Sequence, residues 1–371
     1  MEQTLTVVCK LQPSVEQVAM IEATLKAFAD GCNFANEAVK PTVTNKARIQ
    51  AEIYEQLRGR FELSANLAVR ACARVGAARK AAKQHKKPVR EFKPTSVDYD
   101  ARIFAFREKD CTVSLTLIGG REHIPLMLAN YQIGKLKGRK PTAAVLAKRR
   151  DGSYYINIQV SDEAPDPIKV DNVIGVDFGR TDIAVTSEGE KFSGKQITQV
   201  RDRFSRVRAS LQSKGTKGAK RVLKRLSGRE QKFQRWVNHN ISRRIIERAK
   251  EQNAAVAIED LTGIRNRTNK QPRTKTERRR SNSWAFYQLR WMLEYKGIQA
   301  GIPVVKVNPA YTSQTCHQCL HIGLRSGKRF KCGHCGWHGD ADLNGSLMVR
   351  ILGGVVSHPE SSVLCCPIQA A

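Results

Sequence analysis

The stretch VIGVDFG (173–179) is an aliphatic run that ends on an acid, and AAVAIEDL (254–261) repeats the pattern. Short, unbroken runs of β-branched and small apolar residues predict strands buried on both faces. An acid at the C-terminal end of each, Asp177 and Glu259, would then protrude at the edge of a sheet. Around them, IAVTSEGEKF (183–192) predicts a second strand turning at Gly189. Residues 199–250 read as helix, WAFYQLRWMLEYKG (284–297) as another helix and PVVKVNP (303–309) as a strand. DADLNGSLMVRILGG (340–354) places Leu343, Leu347 and Ile351 on one helical stripe.

Hairpin, helix, strand, helix, strand, helix is the order that an RNase H-like α/β sheet requires, and it lets acids far apart in sequence meet above one edge. Asp342, at the start of the last helix, is the third of them. In-line phosphodiester cleavage needs charge neutralised on the entering water and on the leaving oxygen, which two Mg²⁺ ions about 3.5–4 Å apart can do. Mg²⁺ takes carboxylate oxygens, water and phosphate. Asp177 is then the candidate bridge, with Glu259 and Asp342 each holding one ion. Singly, an Asp after a strand is commonly a turn former or helix cap. Asp182 and Asp260 read as supporting residues, and residue type alone leaves Asp340 and Asp342 in competition.

The charge points to the substrate class. Sixty-four Lys and Arg against thirty-four Asp and Glu leave a formal +30, an excess that a polyanion, usually nucleic acid, must neutralise. A membrane is the rival polyanion, but no run of about 18 apolar residues exists to span one. The N-terminal MEQTLTVVCK lacks the pattern of a signal peptide, so a cytoplasmic protein is expected. Residues 199–250 carry 17 Lys and Arg against 3 acidic residues. Arg206, Lys224, Arg225 and Arg235 there are candidate nucleic-acid contacts, as are Arg265, Arg278 and Arg279 in the basic loop 264–280. Arg70, Arg74, Arg79, Lys80 and Lys83 form another basic run, whose bland alternative is a solvated helix face.

Four of the ten cysteines, Cys316, Cys319, Cys332 and Cys335, form C-x2-C-x12-C-x2-C. Two such knuckles complete a tetrahedral thiolate site for structural Zn²⁺. Four thiolates leave no open position for catalysis. His317, His321, His334 and His338 could substitute as ligands. Cys9, Cys32, Cys72, Cys111, Cys365 and Cys366 read as ordinary thiols.

Ahead of this region, residues 4–11 (TLTVVCKL) predict a strand and 14–84 a helical region broken at Pro41. The runs at 102–107, 112–118, 143–148 and 153–160 predict a small antiparallel barrel or sheet. SDEAPDPIKVDN (161–172) is the expected main boundary. The fold class expected is α+β and multidomain.

IGVDFGRTDIAV, AAVAIEDLTGI, WAFYQLRWMLEYKG and NPAYTSQTCHQC…CGHCGWHGDADLNGS together resemble TnpB, the transposon-encoded RNA-guided nuclease related to miniature type V CRISPR effectors. The resemblance is strong over about 173–354. It favours Asp342 over Asp340 as third acid, because the family's D-x-N matches Asp342 and Asn344. It implies a wedge-like β-barrel from 1–13 and 91–165, a helical recognition lobe at 14–90 and a RuvC-like nuclease domain from 173–310 and 340–354. A zinc ribbon at 311–339 and a loosely ordered tail at 355–371 complete that layout. It further implies a guide RNA from the transposon end and double-stranded DNA as target beside a short protein-read motif; the oligomeric state stays open, with a monomer bound to RNA the expectation. A miniature CRISPR effector, a strand-joining transposase and a nuclease-inactive RNA-guided repressor are the alternatives. A non-catalytic zinc-ribbon binder would leave three acids unexplained.

Overall fold

The computed structural model describes residues 2–179, 181–264, 274 and 285–357. The chain divides into two units, Met1–Glu163 and Ala164–Ala371, and the division falls inside the polar SDEAPDPIKVDN stretch.

In the first unit, β1 (Glu2–Leu11) is followed by α1 (Val15–Ala38), α2 (Lys46–Phe61) and α3 (Ala65–His85). Then come β2 (Ser96–Asp100), β3 (Phe104–Arg107), β4 (Thr112–Leu117), β5 (Gly120–Met127), α4 (Asn130–Leu136), β6 (Pro141–Lys148) and β7 (Tyr154–Glu163). The seven strands form one antiparallel sheet in the order β2-β6-β7-β1-β5-β4-β3. β3 approaches β6 and nearly closes it. Alternation along β1 turns Val7, Cys9 and Leu11 inward and leaves Val8 exposed. α1 starts at a capping box in which the Ser14 hydroxyl accepts from the Gln17 N–H while the Gln17 side chain accepts from the Ser14 N–H.

The helices do not form a body of their own. Leu25, Phe28, Leu67 and Cys72 share one continuous core with Leu115, Ile124, Ile156 and Ile158 of the sheet. Thr24 of α1 adds a polar tie, its hydroxyl accepting from the Ile118 N–H at 2.9 Å. The amphipathic faces of α1 and α3 find their apolar partner in the sheet, so the helical stretch expected at 14–90 packs within the first unit.

The second unit opens with β8 (Asn172–Asp177), β9 (Asp182–Thr186) and β10 (Lys191–Ser193), a meander of antiparallel pairs. Helices α5 (Lys195–Lys214), α6 (Lys217–Leu226) and α7 (Arg229–Glu251) lead to β11 (Ala254–Glu259). α8 (Phe286–Ala300) and β12 (Val304–Val307) follow. The sheet order is β10-β9-β8-β11-β12, with β8, β11 and β12 parallel. A three-stranded sheet, β13 (Leu324–Ser326), β14 (Arg329–Lys331) and β15 (His338–Asp340), precedes the last helix, α9 (Ala341–Ser357).

β11 shows why its sequence is apolar throughout. Ala254, Val256 and Ile258 pack with Ile241, Ile245, Leu289 and Leu293 of α7 and α8. Ala255 and Ala257 face the other way, onto the core that contains Val349 of α9. Period two therefore sends Glu259, and Asp177 after Val173 and Gly175, toward the α9 side. α9 lies directly on β8: a Cβ added at Gly175 would stand 2.1 Å from the Ser346 carbonyl oxygen. Val355–Ser357, expected in the tail, continue α9. Residues 358–371, with Cys365 and Cys366, and the basic loop 264–280 apart from Ile264 and Thr274, lie outside the described residues.

Candidate functional site

The neighbouring parallel strands β8 and β11 end together. Ile258 is in register with Val176, so Asp177 and Glu259 follow side by side on the face covered by α9. α9 brings the third acid from above. A Cβ at Gly345 would lie 3.2 Å from Asp177 Oδ2, and Asp342 stands less than one turn earlier on the same helix. Glu259 and Asp342 are 8 % and 6 % exposed, which is expensive for carboxylates without a compensating cation. Burial first, and then the carboxylates of Glu259 and Asp342, push Asp177 up to about 8. Burial also raises Glu259, against the lowering effect of the Thr312 hydroxyl that donates to its Oε1.

Two basic side chains from the β13–β14 hairpin answer part of this negative charge. Arg325 donates to Asp342 Oδ1 at 2.9 Å. Lys328 donates to the other Asp342 oxygen and, at 2.6 Å, to Asp182. Among the described residues, no choice of one oxygen from each of the three acids brings all three within 4.8 Å of one another.

The local competitors have other work. Asp340 caps α9, accepting from the N–H groups of Asp342 and Leu343 at 2.9 and 3.1 Å, and pairs with Lys191 at 2.5 Å. Asp260 accepts from the Thr262 N–H and from Arg290. Asp182 is held by Lys328.

The four cysteines converge. Their sulfurs lie within 4.8 Å of one another, with Cys316–Cys335 at 3.6 Å and Cys319–Cys332 at 3.5 Å. A tetrahedron with Zn–S bonds of about 2.3 Å has S···S edges of roughly 3.8 Å, so the set fits that ion's size and softness. Burial alone would raise the Cys332 thiol. The backbone N–H groups of Cys335 and His334, with the neighbouring thiols, instead pull it down, whereas burial raises Cys316 and Cys319 of the same cluster. Phe330, Trp337 and Ala341 close a small core over the cluster. The first knuckle is pinned to α9 by Asn344, fully buried, which accepts from the His317 N–H and donates to the Thr315 carbonyl at 2.7 Å.

Asn344 entered the sequence reading only as part of a motif. Its positioning role, and those of Thr312, Arg325 and Lys328, come from the structure alone, since nothing in their local sequence separates them from other polar loop residues.

The expected nucleic-acid contacts divide. Lys80, Lys83, Arg206, Lys224, Arg225 and Arg235 are exposed. Arg79 is corrected: it is 4 % exposed and its guanidinium donates to Asn36 Oδ1 and to the carbonyls of Asn36, Val39, Lys40 and Val43. Arg74 forms a bidentate pair with Asp98 and also binds Ser96, and Arg70 donates to the Tyr99 carbonyl at 3.3 Å. Those three fasten α3 to its own unit. Arg265, Arg278 and Arg279 lie outside the described residues. No helix among the described residues is long and apolar enough to cross a membrane.

Comparison with known proteins then gives the geometry a setting. The family model for the Cas12f1-like TNB domain matches residues 286–349, from α8 through the cysteine cluster into α9. A CRISPR-associated endodeoxyribonuclease Cas12f1 of Sulfoacidibacillus thermotolerans is 31% identical over 224 residues, which are 54% of this chain and 51% of that protein. A TnpB-like protein of Methanocaldococcus jannaschii is 32% identical over 152 residues, 40% of this chain and 54% of the relative. The chain thus spans about half the length of these curated relatives. In fold it is similar to the mini-RNA-guided endonuclease CRISPR-Cas_phi3, with a TM-score of 0.53 at 10% identity over 97% of this chain and 93% of the other. By sequence, the chain is a relative of the TnpB-like proteins and of the Cas12f endodeoxyribonucleases.

Proposed function

We propose that this chain is an RNA-guided DNA endonuclease encoded by a transposon, cutting double-stranded DNA beside a short protein-read motif by two-metal-ion phosphodiester hydrolysis. One observation carries the reading: Asp177 and Glu259 end adjacent parallel strands on the face where α9 delivers Asp342, in a chain of net charge +30. The Cas12f1 relative, named an endodeoxyribonuclease, supports DNA as the substrate, and an Escherichia coli relative named a putative RNA-guided DNA endonuclease supports the RNA guide.

The second unit is then a RuvC-like nuclease domain with an inserted zinc ribbon, and the first a wedge-like barrel with its helical insert. Asp177, Glu259 and Asp342 would hold two Mg²⁺ ions, which would supply charge neutralisation at the attacked phosphate. Hard oxygen donors suit that ion. Asp177 is the candidate to bridge because the carboxylates of both Glu259 and Asp342 act on it. Thr312 orients Glu259, and Asn344 fixes the ribbon against α9 so that Arg325 and Lys328 reach the acids. The exposed basic residues of α5–α7 would hold an RNA–DNA duplex by its backbone rather than by its sequence, and those of α3, in the first unit, are separate candidates for backbone contacts.

A miniature CRISPR effector is the second reading, favoured by the Cas12f1-like match over 286–349. Sequencing the RNA that co-purifies with the full chain separates the two. RNA from a transposon end supports the first reading, and RNA from a CRISPR repeat supports the second. A chain that carries no RNA and ignores added guide overturns both.

A further inference from the structure

The four-cysteine cluster has a neighbour that the proposed function does not use. His321 and His334 stack face to face, with ring centroids 3.6 Å apart and planes 5° from parallel. Both are exposed. One follows the first knuckle and the other sits inside the second, so the fold of the cysteine pair itself sets the two imidazoles side by side. A ligand nitrogen of each and the Cys319 sulfur all lie within 4.8 Å of one another.

The His321 ring is already prepared for a metal. Its Nδ1 lies 2.9 Å from the Cys319 carbonyl oxygen. A carbonyl can only accept, so Nδ1 carries the proton and Nε2 keeps its lone pair. That backbone contact is the kind that fixes the tautomer of a ligating histidine. Cys319 is the half-exposed member of its diagonal pair, whereas Cys332 opposite it is buried. A thiolate bound to one zinc keeps further lone pairs, and four thiolates around Zn²⁺ leave the cluster with a charge of −2.

We propose that Cys319, His321 and His334 form a second, solvent-accessible site for a borderline d-block cation such as Zn²⁺, Ni²⁺ or Cu²⁺, with the Cys319 thiolate bridging to the structural ion. Two imidazoles and one thiolate select such ions over Mg²⁺ or Ca²⁺. Parallel rings cannot both aim a lone pair at one point, so the stack opens into a V around the ion. That motion is a side-chain rotation of two exposed residues. The fourth position is left to water, which makes this ion the exchangeable one of the pair. The inference stands on the ribbon geometry and does not depend on the nuclease reading.

The full chain, loaded with excess Zn²⁺ and desalted, tests it by elemental analysis and native mass spectrometry. The wild type is expected to hold one zinc ion more than His321→Ala or His334→Ala, whatever the carboxylates of the second unit retain. His338→Ala removes an exposed histidine of the same ribbon that lies outside the site, and should hold as many as the wild type. A wild type that holds no more than either site variant, or a His338→Ala that holds fewer than the wild type, would overturn the assignment. With Co²⁺ in place of zinc, the second equivalent should add thiolate-to-cobalt charge-transfer absorption. A second equivalent that adds none would overturn the bridging role of Cys319.

Discussion

Gly175→Ala probes the packing on which the acid site depends. The added Cβ would stand 2.1 Å from the Ser346 carbonyl oxygen and 2.4 Å from the Arg350 N, while ordinary contact begins at 3.4 Å. Both obstacles are backbone atoms of α9, so no side-chain rotation relieves them. The helix must back away from β8 by about 1.3 Å, or the strand must bend. Overpacking of this kind costs about 1–3 kcal/mol of stability. The functional cost is larger, because α9 carries Asp342 and a misplacement of about 1 Å in a catalytic constellation can lower the rate roughly 10²-fold. Urea denaturation of the full chain should show a lower midpoint with an unchanged slope. Mn²⁺ binding, followed by the EPR signal of the free ion, should weaken in parallel. A variant as stable as wild type, with the same Mn²⁺ affinity, would show that α9 does not rest on β8 as described.

Lys328→Gln should tighten Mn²⁺ binding by roughly 10-fold, the equivalent of about 1.4 kcal/mol. The ammonium that pairs with Asp342 and Asp182 then no longer competes with the metal; an unchanged or weaker affinity would sink that role. Arg79→Ala should lower unfolding stability by about 3 kcal/mol, because several buried carbonyls lose their donor. Its salt dependence of nucleic-acid binding should match wild type, whereas a slope shallower by one phosphate contact would return Arg79 to the binding surface. In metal-free protein, Asp177 has its folded pKa raised from 3.8 to about 8. The stability it contributes is therefore complete below about pH 4 and lost as pH climbs toward 8. Asp177→Asn should flatten that part of the pH–stability profile, and an identical profile would remove the buried-carboxylate explanation.

Much of the second unit was legible because its strands are extreme. β11 is apolar on both faces as it is covered on both, and the acid that ends it stands out against that background. The cysteine spacing was equally plain. β5 was missed because Pro125 interrupts GREHIPLM. The strand tolerates it because the β1 ladder ends at Leu11↔Leu126, and at Pro125 the contact with the β1 side needs only the proline carbonyl, which accepts from the Gln12 N–H at 2.9 Å. Arg79 was misread although its position was informative. Cys72, Val75, Gly76 and Arg79 share one face of α3, so helical period alone placed the arginine among buried residues. The charge of its neighbours Lys80 and Lys83 outweighed that signal. Asp340 and Asp342 could not be separated by residue type, since either could cap a helix; the D-x-N resemblance favoured Asp342, and the structure adds that Asp340 accepts from the N–H groups of Asp342 and Leu343. The ion pairs of Arg325 and Lys328 with Asp342 span 17 and 14 residues across a hairpin, and no local pattern announces them.

The most direct measurement uses the full chain purified with its RNA, Mg²⁺ and double-stranded DNA that matches the guide. The wild type should cut that DNA and leave a mismatched one intact. Asp177→Ala should bind the same DNA with unchanged affinity and cut none of it. Cleavage by Asp177→Ala at the wild-type rate would contradict the account at its centre.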